Sequence, residues 1–224
     1  MNTTVMKSPI TIEPMQAKYY PQVSRLLVYV FRGKFQHLTT MSDDDLALFF
    51  EKLFEHFPTD PASRRMVALQ DGEVIGTISV KWRGEYNNGR KGRKQKLSSW
   101  KNFNRFGKWN LIKMLIGLHV FKHKPEMGEC YIEDVVVHPD HQGKGVGKLL
   151  LQWALHFVQT EPMLDMLSLY VSGKNPRAKQ LYERLSFYTH SQSNSMVWHL
   201  LFNEMKWDYM VMKMNNNEFD GSDQ

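Results

Sequence analysis

One cysteine, Cys130, occurs in 224 residues. No internal disulfide and no cysteine-built metal cluster is open to this chain, and the usage suits a reduced, cytoplasmic setting. Nowhere do 18 uncharged apolar residues run together, so no membrane-spanning helix is expected. The opening Met1-Asn2-Thr3-Thr4-Val5-Met6-Lys7 lacks a basic stretch followed by an apolar block, so no secretory signal is expected there. Histidines and acids show no metal-ligand spacing, and no metal is expected. There is no internal repeat and no DNA- or RNA-binding motif. What is present is ordinary for a folded domain: 42% hydrophobic and 23% charged residues.

The formal net charge is +6, unevenly placed. Residues 81–124 hold 13 Lys/Arg against one acid, Glu85, while the rest of the chain carries 16 basic and 22 acidic residues. Such a block suggests an anionic partner or a solvated loop.

Apolar periodicity sets out the elements. Ile10–Glu13 reads as a short strand. Val23, Leu26, Leu27, Val30 and Phe31 mark one face of a helix over 17–32. Ser42 before Asp43-Asp44-Asp45 is an N-cap with acids in the first turn, opening a helix over 43–56. Met66–Leu69 and Val74–Val80 are strands joined by Asp71-Gly72, a hairpin signal. Residues 83–96 lose all periodicity and form a loop. A helical pattern resumes from Ser98 or Ser99 to about Phe121, with Gly107 able to split it. Glu129–Val137 has the continuous apolar end of a central strand. A helix follows on Val146, Leu149, Leu150, Trp153, Ala154 and Phe157. Leu164–Val171 is a strand, and Asn175-Pro176 starts another helix. Phe187–Phe202 and Lys206–Met214 suggest a closing hairpin turning at Asn203-Glu204. The polar tail, 215–224, is expected to be disordered.

Between the central strand and its helix lies Gln142-Gly143-Lys144-Gly145-Val146-Gly147-Lys148. Strand, glycine-rich turn and helix together make an anion site, because glycines admit close approach to backbone N–H groups and the helix N-terminus favours negative charge. A dinucleotide fingerprint from Gly143 would need a small residue where Lys148 stands. A P-loop would need Ser or Thr where Leu149 stands. The pattern [QR]-x-x-G-x-[GA] fits Gln142, Gly145 and Gly147. About 30 residues on comes Asn175-x-x-Ala178-x-x-Leu181-Tyr182-Glu183. Both motifs, each on its expected element and in this order, resemble the GNAT acyltransferase superfamily. The resemblance covers most of the chain, apart from an insertion at about 82–128 and the tail. Ser186-Phe187 departs from the family's frequent Gly-Phe.

The resemblance implies an α/β fold of GNAT type. It consists of a mixed, mostly antiparallel sheet flanked by helices, with central strands 129–137 and 164–171 parallel and splayed around acetyl-CoA. One domain would span 1–214. The resemblance further implies direct acetyl transfer from acetyl-CoA to a primary amine of a small molecule or peptide. Backbone N–H groups of Gly143 through Gly147, with Gln142, Lys144, Val146 and Lys148 in the same loop, would hold the pyrophosphate. Main-chain groups along Val135, Val136 and Val137 would pair with the pantetheine arm, and an N–H near Val135 would stabilise the oxyanion. Tyr182 matches the family's general acid. Tyr131-Ile132-Glu133-Asp134 resembles a stretch of spermidine/spermine acetyltransferases and makes Glu133 the candidate base, with Asp134 its rival. Strict alternation would put Tyr131, Glu133, Val135 and Val137 on one face and Asp134 on the other. Asn175 caps its helix and in the family often also touches the cofactor. Cys130 is expected to be inert.

The insertion has several readings: an apolar wall of Trp100, Phe103, Phe106 and Trp109 over the acceptor, a packed accessory helix, or a surface helix meeting anionic lipid. The expected partners are acetyl-CoA and an amine, with no nucleic acid and no integral membrane contact, and with homodimerisation left open. The alternative function is a non-catalytic acetyl-CoA sensor or interaction module.

Overall fold

Asp71 and Gly72 both adopt left-handed backbone (φ 53° and 81°), the geometry of a tight turn between twisted strands. They join β2 (Ser63–Gln70) to β3 (Glu73–Trp82). In the computed structural model, which describes residues 8–35, 39–57, 60–84, 103, 105–120, 123–194, 199 and 204–214, this hairpin lies within a seven-stranded sheet. The other strands are β1 (Thr11–Pro14), β4 (Glu129–Val137), β5 (Met166–Ser172), β6 (Tyr188–Asn194) and β7 (Lys206–Lys213). Their order is β1-β2-β3-β4-β5-β7-β6, and every pairing is antiparallel except β4 with β5.

Among the described residues five α-helices cover the two faces: α1 (Tyr20–Phe35), α2 (Asp43–His56), α3 (Lys108–Val120), α4 (Val146–Thr160) and α5 (Pro176–Arg184). Ser42 accepts the Asp45 N–H at 3.1 Å, the cap its sequence announces. On one face, Val23, Leu26 and Leu27 of α1 and Leu46, Phe49 and Phe50 of α2 pack on Val67, Leu69, Val74 and Val136. On the other face, Val146, Leu150, Leu151, Ala154 and Phe157 of α4 pack on Ile78, Val80, Ile132, Leu167 and Leu169. No described helix is long and apolar enough to cross a membrane.

The insertion joins the first of these layers. Phe103 and Phe106 are buried against Phe49 at ring distances of 5.7 Å each, and Met114 of α3 is fully buried beside them. Their apolar surface is thus spent in the core, which corrects the expectation that they wall the acceptor. Trp109 instead lies exposed. Gly107, at φ 77°, stands just before α3 and ends any continuous helix through 98–121. Residues 85–96, Trp100, Asn203 and residues 215–224, where the sequence leads one to expect a loop, part of the apolar wall, a turn and a disordered tail, lie outside the described residues. The last β6–β7 pair is Asn194 with Lys206.

β4 carries the feature that positions the site. Ser79 of β3 pairs with Asp134, but the next residue, Val80, pairs with Ile132. Glu133 is therefore surplus in the ladder, a β-bulge. The extra residue resets the alternation of side chains. Cys130, Ile132, Val135 and Val137 belong to the α4 layer, while Val136 belongs to the α1/α2 layer. Strict alternation misplaces the C-terminal half of this strand for that reason.

Candidate active site

β4 and β5 are paired only from Glu129–Met166 to Ile132–Leu169. Beyond the bulge they separate, although β4 continues to Val137 and β5 to Ser172. The His138 N–H is bonded to the Ile75 carbonyl of β3 at 2.9 Å. Alternate residues aim their main-chain groups at opposite edges. Val135 and Val137 therefore turn theirs toward the edge that β5 has left. Gln142 reaches the same edge, where its side-chain amide donates to the Val137 carbonyl at 3.3 Å. Val136 turns its main chain toward Thr77 of β3 and its side chain into the α1/α2 core, so it lies behind the wall of the slot.

The glycine loop closes the wide end of this opening. Gly143, Lys144 and Gly145 are exposed, and Lys144 Nζ donates to the Asp140 carbonyl at 2.6 Å. Gly145 is the N-cap of α4 at φ 85° and supplies no side-chain cap, leaving the first N–H groups of α4 to an outside acceptor. Val146 is buried and contributes only main chain here; Lys148 is exposed. A second glycine brings the helix this close to the sheet. A Cβ on Gly76 of β3 would lie 3.0 Å from the Val136 carbonyl and 3.1 Å from Val146.

The second motif meets the first at this point. A Cβ on Gly147 would lie 3.5 Å from Leu181 of α5 and 3.7 Å from Val137 of β4, so both motifs and the open strand share one neighbourhood. Asn175 accepts the Ala178 N–H at 3.1 Å and caps α5, as its sequence position implies. Tyr182 follows Leu181, packed beside Phe187 with ring centroids 5.8 Å apart. Burial pushes its phenol up to about 12, so the hydroxyl holds its proton across the physiological range. That hydroxyl has no hydrogen-bond partner among the described residues. α5 ends with Ser186 N–H on the Glu183 carbonyl and Phe187 N–H on the Tyr182 carbonyl, with Ser186 at φ 68°. This is a Schellman stop, whose left-handed residue is ordinarily glycine.

The bulge separates the two acids of Glu133-Asp134 by role. Asp134 is held in a two-point ion pair with Arg65 of β2, both contacts 2.7 Å, and neither side chain is more than 15% exposed. Burial alone would lower the Arg65 pKa, but Asp134 outweighs it and raises it. Asp134 is thus committed to structure. Glu133 is exposed and accepts one bond, from Ser79 Oγ at 2.8 Å. Cys130 is buried, and burial next to Glu129 pushes its thiol up to about 12, so it is no nucleophile.

The same face holds a group that the motifs do not mark. Glu129 is fully buried at the head of β4. Its carboxylate accepts from Ser168 Oγ of β5, from His123 Nε2 at 2.8 Å, from the Tyr209 hydroxyl of β7 at 2.8 Å and from the Glu126 N–H at 2.7 Å. Burial would raise its pKa, but these donors, His123 foremost, bring it down to about 2. The His123 ring lies 4.3 Å from Tyr131, 5.9 Å from Tyr170 and 5.8 Å from Tyr209. An acid at the apolar head of a strand is the one signal of it in the sequence.

Comparison with known proteins agrees with this geometry. The chain is 38% identical over 81 residues to a mycothiol acetyltransferase of Rhodococcus opacus (strain B4), 34% of this chain and 26% of that protein. It is 43% identical over 76 residues to that of Mycobacteroides abscessus, 33% and 25% of the two chains. The chain thus spans about a quarter of the length of these relatives. Among solved structures, a point mutant of the spermidine N-acetyltransferase SpeG of Vibrio cholerae matches with a TM-score of 0.55 at 18% identity, covering 91% of this chain and 93% of that one. Arabidopsis thaliana NAA60 in complex with a bisubstrate analogue matches with a TM-score of 0.56 at 16% identity, over 92% and 99%. The likeness to these structures is one of fold. Residues 34–187, which include the bulged strand, the glycine loop, α4 and α5, match the profile described as Acetyltransferase (GNAT) family. By that match and by the splayed strands that it accounts for, this chain belongs to the GNAT family of acetyltransferases.

Proposed function

We propose that the chain transfers an acetyl group from acetyl-CoA directly to a primary amine. The observation that carries this reading is the β4–β5 ladder ending at Ile132–Leu169, with the uncapped N-terminus of α4 at its open end. The residues present fit the cosubstrate. Main-chain groups of Val135 and Val137 suit the amide-rich pantetheine arm, in the manner of an added strand. N–H groups from Gly143 to Gly147, with Gln142, Lys144 and Lys148 around them, suit a pyrophosphate. Asn175 stands at the neighbouring cap of α5. The Val135 N–H would steady the oxyanion, and Tyr182 would protonate the departing thiolate. Glu133, exposed on the bulge, would meet the amine and take up its proton directly or through a water.

The acceptor belongs to this proposal too. Relatives carry the names mycothiol acetyltransferase and spermidine N-acetyltransferase, and their acceptors differ. Glu133 on the bulge and the Tyr131, Tyr170 and Tyr209 rings before it, with Glu129 buried beneath them, support an amine arriving as a cation.

The test is a thermal melt with acetyl-CoA beside ATP and NAD, followed by free-thiol release with a panel of amines. At about 100 times its dissociation constant a ligand adds roughly 2.7 kcal/mol, a rise of roughly 5–10 °C for this size. A rise specific to acetyl-CoA without thiol release for any amine would favour a sensor. No rise would refute the site.

A further inference from the structure

We propose that His123 is a proton acceptor for the incoming amine and that Glu129 is its positioning residue. The inference rests on the acetyl-transfer reading and adds to it a base that lies on neither sequence motif.

The geometry fixes the imidazole tautomer. A carboxylate only accepts, so Nε2, 2.8 Å from Glu129 Oε1, carries the proton. In the neutral ring Nδ1 then keeps its lone pair, and it has no hydrogen-bond partner among the described residues. Glu129 cannot swing away, because Ser168, Tyr209 and the Glu126 N–H hold it as well. A fixed carboxylate behind a ring orients it and compensates the charge that it gains with a second proton, as in catalytic triads. The groups facing the ring are Glu129 and Tyr131 of β4, Tyr170 of β5 and Tyr209 of β7, with Ser168 beneath and His190 of β6 6.0 Å beyond Tyr209.

Position agrees. Tyr131 is two residues before the bulge, about 7 Å along the strand from Glu133. It pairs with Ser168, one residue before the ladder opens at Ile132–Leu169. The His123 ring is only 20% exposed at the side chain, sheltered but reachable, and its tyrosine neighbours are stacking surfaces for a cationic amine.

Protons balance. The ammonium loses two in becoming an amide. One passes to His123 Nδ1, rather than to Glu133, and on to water, freeing the lone pair that attacks the thioester carbonyl carbon. When the carbon–sulfur bond breaks, Tyr182 gives its proton to the thiolate and is refilled by the second proton from the new amide nitrogen. No further reactant is needed.

The test uses the full chain with spermidine, and separately a tetrapeptide with a free N-terminus, as amines. His123→Gln should give the wild-type melting rise with acetyl-CoA, lower kcat at least 100-fold and remove the acid limb of the kcat/KM–pH profile. Glu129→Gln should weaken that limb with a smaller loss, and imidazole should partly rescue His123→Ala. Ring nitrogen-15 spectra should show the Nε2–H tautomer. His123→Gln with an intact acid limb, or a ring in the Nδ1–H form, would overturn the proposal. Loss of the acetyl-CoA melting rise in the wild type would instead overturn the reading beneath it.

Discussion

Replacing Asp134 by Asn removes one charge and little volume. Arg65 then keeps a guanidinium that is always protonated, 15% exposed at the side chain, with its fork aimed at a neutral amide. Two charge-assisted contacts of 2.7 Å are lost together. Breaking one half of such a sheltered pair costs about 3–5 kcal/mol, because the other charge stays desolvated. The lower end applies here, since Phe54 lies 5.6 Å from the guanidinium and still offers its ring. At about 3 kcal/mol the midpoint should fall on the order of 10 °C for a chain of this size. Denaturant unfolding of Asp134→Asn, Arg65→Met and the double variant measures this. The double variant should recover much of the loss, because two uncharged side chains leave no buried charge. Acetyl transfer per folded molecule should survive in Asp134→Asn, since this carboxylate has no role on the amine. A loss below about 1 kcal/mol, or additive single costs, would refute the argument.

Three further outcomes follow from the site. Tyr182→Phe should cut kcat roughly 100-fold while leaving the acetyl-CoA melting rise in place, as read by thiol release and thermal melts. Folding lowers the Glu129 pKa from the ordinary 4.5 to about 2. The unfolded chain therefore takes the proton first, and this contribution is whole above pH 4.5 and fades as pH falls toward 2. Unfolding free energies measured between about pH 6 and 3 should drop less steeply in Glu129→Gln. Ser186→Gly should raise stability by about 0.5–1 kcal/mol in denaturant melts, because it relieves a left-handed serine at φ 68°.

Much of the framework is legible in the amino-acid sequence alone. The α4 helix follows from Val146, Leu150, Ala154 and Phe157, and the hairpin from Asp71-Gly72, because helix periodicity and turn chemistry are local. The ends of β4 are equally plain, bounded by Gly128 and His138-Pro139. The bulge at Glu133 is not, since an extra residue is defined only against a partner strand, here Ser79 and Val80. The His123–Glu129 pair is hidden for the same reason: its other donors, Ser168 and Tyr209, lie 39 and 80 residues from Glu129. Phe103 and Phe106 show that they are apolar but not what they cover, which α2 decides.

The surplus residue at Glu133 makes this sheet a hinge plate with one leaf held ajar. Pairing β4 with β3 residue for residue, Glu133 included, would bring Ser79, Val80 and their partners into unbroken register. It would also return the chain beyond to strict alternation, driving Val135 and Val137 out of the α4 layer that they now pack against. While Glu133 stays in the strand, β4 cannot be regularised without emptying one core and crowding the other. The opening thus persists without any residue devoted to propping it, and mutational drift toward a neater sheet is blocked by packing on both faces.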